Sequence, residues 1–360
     1  NTDMNRYQKL TKMLPQEADA ILITSEVNQR YLTGFAFTDG YVLATRRGGY
    51  LLTDFRYMEA AKREAAAEWE VLQPEKGFYA AISDILKRDG AKRVAYEDGV
   101  LTCRGLKQLQ AALPEFAFMP AGTVLEDMRI CKDPEEVENI VRAQRIAEAA
   151  LEHLIGVLRP DMTEIEVAAE LEYAMRRGGA AGTSFDTIAI SGTLTSCPHG
   201  VPRPVKLQPG FLTLDFGALY RGYCSDMTRT LVLGRATEEM RRVYDTVLRA
   251  QTAALEAVGP GADCGEMDKI ARDIIDGAGY RGAFGHSLGH GVGLFIHERP
   301  NLAARCVGQK LVPGNVVTVE PGIYLENRFG VRIEDMVYIR ENGAENLTKA
   351  PKEMLELDIF

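Results

Sequence analysis

In the second half of this 360-residue chain, acidic side chains interrupt runs that otherwise read as buried strands, and that conflict limits what the chain can fold into. Phe211-Leu-Thr-Leu-Asp215-Phe-Gly and Ser225-Asp226-Met-Thr-Arg-Thr-Leu-Val-Leu are two such runs, joined by residues 218–224, which read as a hairpin. That pairing sets Asp215 and Asp226 facing each other across a ladder, where like charges repel. Val316-Val-Thr-Val-Glu320-Pro-Gly ends an apolar strand in a carboxylate, and Val331-Arg-Ile-Glu334-Asp-Met-Val alternates so that Arg332 and Glu334 share a face. Burying ionised carboxylates is costly unless they are paired or bind a cation. Arg332 alone cannot neutralise four of them. Two divalent ions would, and a nearby imidazole would add a neutral ligand.

The chain has five histidines, and four fall in this half: His199, His286, His290 and His297. His153 sits within a helical stretch and reads as structural. In Gly285-His286-Ser-Leu-Gly289-His290-Gly-Val-Gly293 the small residues let backbones approach closely and leave room for imidazoles. The His286/His290 spacing lacks the glutamate of His-Glu-x-x-His, and the glycines argue against a helix there. Those glycines do not match a dinucleotide fingerprint either. Any one carboxylate at a strand end is most often solvated. It is the conjunction of four, with histidines beside them, that points to a dinuclear cation site able to generate a hydroxide and offset a growing oxyanion.

The length predicts two domains, with a boundary near residue 125: 1–125 and 126–360. In the first, residues 20–24, 41–45, 50–52, 69–72 and 94–96 read as strands. Helices are expected over 55–66 and near 77–87 and 104–112, which gives an α/β domain with a mixed sheet. The pattern breaks over 121–132. Asp133-Pro134-Glu135-Glu136 then supplies a helix start, Thr163 with Glu166 caps a second helix ending at Gly178-Gly179, and further helices follow Thr237 and Cys264. Strands are expected at 185–191, 211–216, 226–233, 285–296, 316–320 and 331–340.

A net charge of -9 argues against nucleic-acid or acidic-membrane partners, and no apolar run is long enough to span a bilayer. The start of the chain has no signal-peptide pattern, so a cytoplasmic protein is expected. The six cysteines are scattered, with no Cys-x-x-Cys, so no thiolate metal site is expected; Cys197 and Cys224 read as small buried side chains.

These segments resemble the pita-bread metallopeptidases, the group containing methionine aminopeptidase, aminopeptidase P and prolidase. The resemblance is carried by the Asp215/Asp226 hairpin, His286-x3-His290, Glu320-Pro-Gly-Ile-Tyr and Val331-Arg-Ile-Glu334-Asp. It implies a C-terminal domain with a curved antiparallel sheet flanked by helices. Tyr31-Leu-Thr-Gly-Phe and Leu52-Thr-Asp-Phe-Arg56-Tyr look like the creatinase and prolidase type of N-terminal domain, which methionine aminopeptidase lacks. Creatinase itself is metal-free, and the intact ligand set here argues against it. The Thr-Asp-Phe-Arg-Tyr segment looks closer to aminopeptidase P-like enzymes. The expected activity is therefore an aminopeptidase acting on peptides with proline second, with prolidase and a non-catalytic peptide-binding protein as alternatives.

By the same resemblance, Asp215 would bridge asymmetrically or chelate one metal, Asp226 and Glu334 would bridge both, and His290 and Glu320 would complete the second site. Manganese is the metal expected, with cobalt, iron or zinc also compatible with oxygen and nitrogen donors. Glu320 would also carry a proton, and His199 and His297 would hydrogen-bond the substrate carbonyl and oxyanion. His286 would line the proline side and Arg332 would orient ligands. A homodimer is the expected assembly.

Overall fold

The computed structural model describes residues 4–360, which form two compact units, one ending at Arg129 and the other spanning Ile130–Phe360. The first unit is built on a six-stranded sheet. Its spatial order is Trp69–Leu72, Gly49–Thr53, Gly40–Thr45, Ala20–Ile23, Arg93–Tyr96, Ala117–Pro120. The pairings around Gly40–Thr45 are antiparallel and the outer ones parallel, which is the mixed sheet expected. Leu22, Leu43, Leu52 and Val94 pack with Ile82 and Leu86 of the helix Phe78–Asp89 in its core.

Two helices went unread in the sequence here, Arg6–Met13 and Glu26–Thr33, although Asn5 and Ser25 cap them. The stretch read as a break also contains a helix, Val124–Arg129. Its six residues are too few to show a helical period.

In the second unit the helix starts fall where capping chemistry puts them. Asp133 Oδ1 accepts from Glu136 N, and Glu136 Oε2 accepts from Asp133 N, ahead of the helix Pro134–Val157. Thr163 and Glu166 repeat the device ahead of Glu164–Arg177, which ends at Gly178. The helices Glu238–Ala257 and Cys264–Ile275 follow their caps Thr237 and Asp263.

The strand Gly210–Phe216 pairs antiparallel with Ile188–Ser191 and with Met227–Leu233. Its side chains alternate between two cores. Leu212, Leu214 and Phe216, with Leu231 and Leu233, pack under Pro134–Val157 and Glu164–Arg177. Phe211 and Val232 join the helices Glu238–Ala257 and Cys264–Ile275. Each such buried side chain contributes about 1.5–3 kcal/mol. The second face is apolar at Phe211 and Val232 but turns polar farther along, at Thr213, Asp215, Thr228 and Thr230. A further antiparallel sheet sets Val316–Val319 between Gly289–Gly291 and Asp335–Arg340, and Gly322–Leu325 pairs with Phe329–Arg332 in a sheet of its own. Among the described residues, no helix is long and apolar enough to cross a membrane.

The Thr163 cap isolates one contribution to stability. Thr163→Ala removes the acceptor for Glu166 N and should cost about 1 kcal/mol, read as a lower midpoint in urea denaturation. An unchanged midpoint would mean that the cap contributes nothing.

Candidate metal centre

The polar end of that sheet face opens into a cavity of about 430 Å³. Asp215, Asp226, His290, Glu320, Glu334, His199, His286, His297 and Arg332 all line it. Every site residue named from the sequence is thus brought to one place. The cavity also takes in Phe185, Asp186, Ile188 and Asn301, which sequence reasoning did not single out.

Three of the five ligand candidates sit where ladders stop. Asp226 precedes Met227–Leu233, Glu320 follows Val316–Val319, and Glu334 lies between Phe329–Arg332 and Asp335–Arg340. Asp215 and His290 lie within strands, and the partner of Asp215 in register is Thr228, not Asp226. The expected face-to-face pair is therefore a diagonal one. The cause is local: Tyr220 pairs with Tyr223 around a tight turn at Arg221-Gly222, and Ala218–Tyr220 and Tyr223–Cys224 continue the register that sets Asp215 opposite Thr228. The chains cross at Gly217, where a Cβ would lie 1.9 Å from the carbonyl oxygen of Ser225. A second close approach carries His290, since a Cβ on Gly289 would lie 2.0 Å from the carbonyl oxygen of Thr318.

Hydroxyls aim the carboxylates. Thr318 Oγ1 accepts from His290 N (3.1 Å) and donates to Glu320 Oε1 (2.9 Å). Thr228 Oγ1 donates to Glu334 Oε2 (2.6 Å) and accepts from Arg332 Nε (3.0 Å). His290 Nδ1–H donates to the Gly291 carbonyl, which leaves Nε2 facing Asp226 Oδ2 at 3.4 Å and Glu320 Oε1 at 3.3 Å. Asp226, His290 and Glu334 each offer a donor atom within 4.8 Å of one another.

Asp215 Oδ2 accepts from Arg332 Nη2 (2.7 Å), while its Oδ1 is buried with no hydrogen-bond partner. A buried carboxylate oxygen without a donor is costly and calls for a cation. The donor set of carboxylate oxygens and one imidazole fits a hard or borderline divalent metal.

Arg332 continues into a directional chain. It has only donors, so its Nη1 donates to Tyr324 Oη (2.8 Å), and the Tyr324 hydroxyl in turn donates to His286 Nε2 (2.8 Å). Burial first, and Arg332 among its neighbours, pull the His286 imidazole towards its neutral form, as an acceptor requires. Tyr324, Thr228 and Thr318 were not singled out in the sequence. The available signals were the tyrosine four residues after Glu320 and threonines two residues from Asp226 and Glu320. His297 stacks edge-on against His290, with ring centroids 4.4 Å apart, and His199 is exposed at the cavity wall.

His153 lies outside this site and pairs with Glu170 at 2.6 Å, in keeping with a structural role. All six cysteines are free; Cys224 is buried, but Cys197 is exposed, contrary to expectation, in the irregular turn just ahead of His199.

The electrostatics of the cluster are under tension. Burial and the Asp215 carboxylate push Asp226 well above the usual carboxylate range, and burial and Asp226 do the same to Glu334. Burial opposes charge on Glu320 and His290 as well, yet each holds the other ionised: Glu320 is drawn down to about 2 and His290 up to about 9. A cation must displace those protons, so affinity should climb as pH rises towards about 9 and fall on acidification. Calorimetry of Mn²⁺ uptake in buffers of differing protonation enthalpy should detect about one or more protons released per chain. Affinity independent of pH would contradict this account.

Residues 138–341 match Metallopeptidase family M24, and residues 6–131 match the Creatinase/Prolidase N-terminal domain. The Xaa-Pro dipeptidase of Pyrococcus furiosus is 38% identical over 353 residues, 97% of this chain and 99% of the relative. Among solved structures, the Xaa-Pro dipeptidase from Bacillus anthracis has a TM-score of 0.94 at 39% identity, covering 98% of this chain and 99% of that one. The X-Pro aminopeptidase from Thermotoga maritima MSB8 has a TM-score of 0.92 at 35% identity, covering 97% and 100%. Matches of this strength running through both units settle the kinship: the chain belongs to Metallopeptidase family M24, a pita-bread hydrolase whose chemistry depends on divalent metal.

Proposed function

We propose that this protein is an Xaa-Pro dipeptidase that works with two divalent cations, manganese being the first to test. The observation that carries metal-dependent hydrolysis is the convergence of four carboxylates and His290 on one cavity, with a buried lone oxygen on Asp215. Restriction to dipeptides is supported by two of the relatives above, which are named Xaa-Pro dipeptidases. Cleavage of longer peptides is the second reading. It is favoured by the X-Pro aminopeptidase relative and by the Thr53-Asp54-Phe55-Arg56-Tyr57 segment.

Asp215, Asp226, His290, Glu320 and Glu334 would hold the cations. When bound, such cations supply Lewis acidity, acidifying a water nucleophile and offsetting charge on the scissile carbonyl oxygen. Glu320 takes the proton released by that water and passes it to the leaving imino nitrogen. His199 and His297 donate hydrogen bonds to the carbonyl oxygen as its negative charge grows. Arg332 fixes Asp215 through their 2.7 Å pair and, through Tyr324, orients His286 on the proline side.

Full-length protein stripped with a chelator and resupplied with Mn²⁺ should cleave Xaa-Pro dipeptides and leave Xaa-Pro-Yaa tripeptides intact. Tripeptide turnover of equal efficiency would move the assignment to an aminopeptidase, and activity surviving complete metal removal would discard the mechanism. Asp226→Asn should lower turnover by at least about 100-fold, since loss of even an outer partner of a metal ligand costs about 10- to 100-fold. His297→Ala should lower kcat roughly 10²- to 10³-fold with metal content, read by elemental analysis, unchanged. An H297A enzyme with wild-type kcat would remove His297 from the reaction.

A further inference from the structure

Glu334 is presented from an interruption. The strands Phe329–Arg332 and Asp335–Arg340 end on either side of it, so the sheet alone does not fix its backbone. Two neighbouring pairs of residues meet there. Thr228 and Glu334 turn towards the cavity and bond each other, whereas Arg229 and Asp335, one residue on in each segment, turn away from it. Arg229 and Asp335 are 2% and 0% exposed, and neither lines the cavity.

Arg229 spends all five of its donors. Its Nη1 bridges the carbonyls of Thr228 (2.9 Å) and Glu334 (2.7 Å), gripping both residues of the cavity-facing pair by the main chain. Nη2 donates to Asp335 Oδ1 and to the Ala350 carbonyl, each at 2.8 Å, and Nε to the Pro351 carbonyl at 2.9 Å. Asp335 Oδ2 accepts from Gln251 (2.9 Å), Asn346 (2.7 Å) and Lys352 (3.0 Å). The segment that supplies the two carbonyls then runs parallel to the Arg229 strand, with Val232 opposite Glu356 and Leu233 opposite Leu357.

A planar fork with fixed donor directions sets the positions of the groups it binds, which a lysine cannot do. We propose that Arg229, braced by Asp335, is the positioning residue for the Glu334 carboxylate, and that residues 350–357 complete the metal centre from outside the cavity. This rests on Glu334 being a metal ligand, as read above.

Calorimetric titration of Mn²⁺ into chelator-treated, full-length protein tests it. Arg229→Lys keeps the charge and loses the fork; once circular dichroism shows it folded, it should bind Mn²⁺ roughly 10- to 100-fold more weakly and recover most of its kcat at saturating Mn²⁺. Lys352→Met, at a partly exposed position, removes one donor from Asp335. It should weaken binding by about 10-fold, the low end of that range, and decides the matter if R229K does not fold. Wild-type affinity in a folded R229K, or in K352M where R229K fails to fold, overturns the proposal. Failure of the wild type to take up Mn²⁺ overturns instead the metal reading beneath it.

Discussion

Like-charge repulsion between buried carboxylates is the constraint around which the second unit is arranged. Asp226 and Glu334 are 4% and 2% exposed; burial and Asp215 disfavour the ionised form of Asp226, and burial and Asp226 that of Glu334. The fold does not relieve this by moving them apart. It places them on the ends of well-packed strands, so that the hydrophobic energy of the two flanking cores holds in place a cluster that would not assemble on its own electrostatics. Only positive charge brought to the centre can relax the strain, and Arg332 is committed to the Asp215 side of it.

Positions at strand ends suit this task because the main chain there is free to turn a side chain out of the pleat. The liberty has to be limited, and the limiting groups are short hydroxyls and a guanidinium, not bulk. Thr228 sits between Arg332 and Glu334 and passes orientation from one to the other. Thr318 does the same between His290 and Glu320. A threonine at each location contributes a methyl to the packing and a single polar atom to the network, which makes its geometry stiff.

Much of this was legible in the residues themselves. Capping pairs at Asp133 and Thr163 announced their helices, because a cap is written in three or four adjacent positions. The carboxylates stood out since a charge at an apolar position is improbable without a reason. What stayed hidden depended on register or on distant partners. The hairpin between Asp215 and Asp226 reads plainly, but its register is set by the tight turn at Arg221-Gly222, where both residues have positive φ. Arg229 and Asp335 look like ordinary strand residues until the carbonyls of Ala350 and Pro351 are brought to them. Cys197 passed for a core residue because nothing local distinguishes a tight exposed turn from a packed one.

The ligand candidates are spread over about a third of the chain, from Asp215 to Glu334, and no two adjoining strands hold them all. Long-range pairings of this kind form late, after much loop-closure entropy has been lost. A nascent polypeptide therefore cannot offer the complete acidic cavity before Glu334 has emerged and docked. An intact cavity is thus a product of the whole folded second unit and of no shorter segment within it.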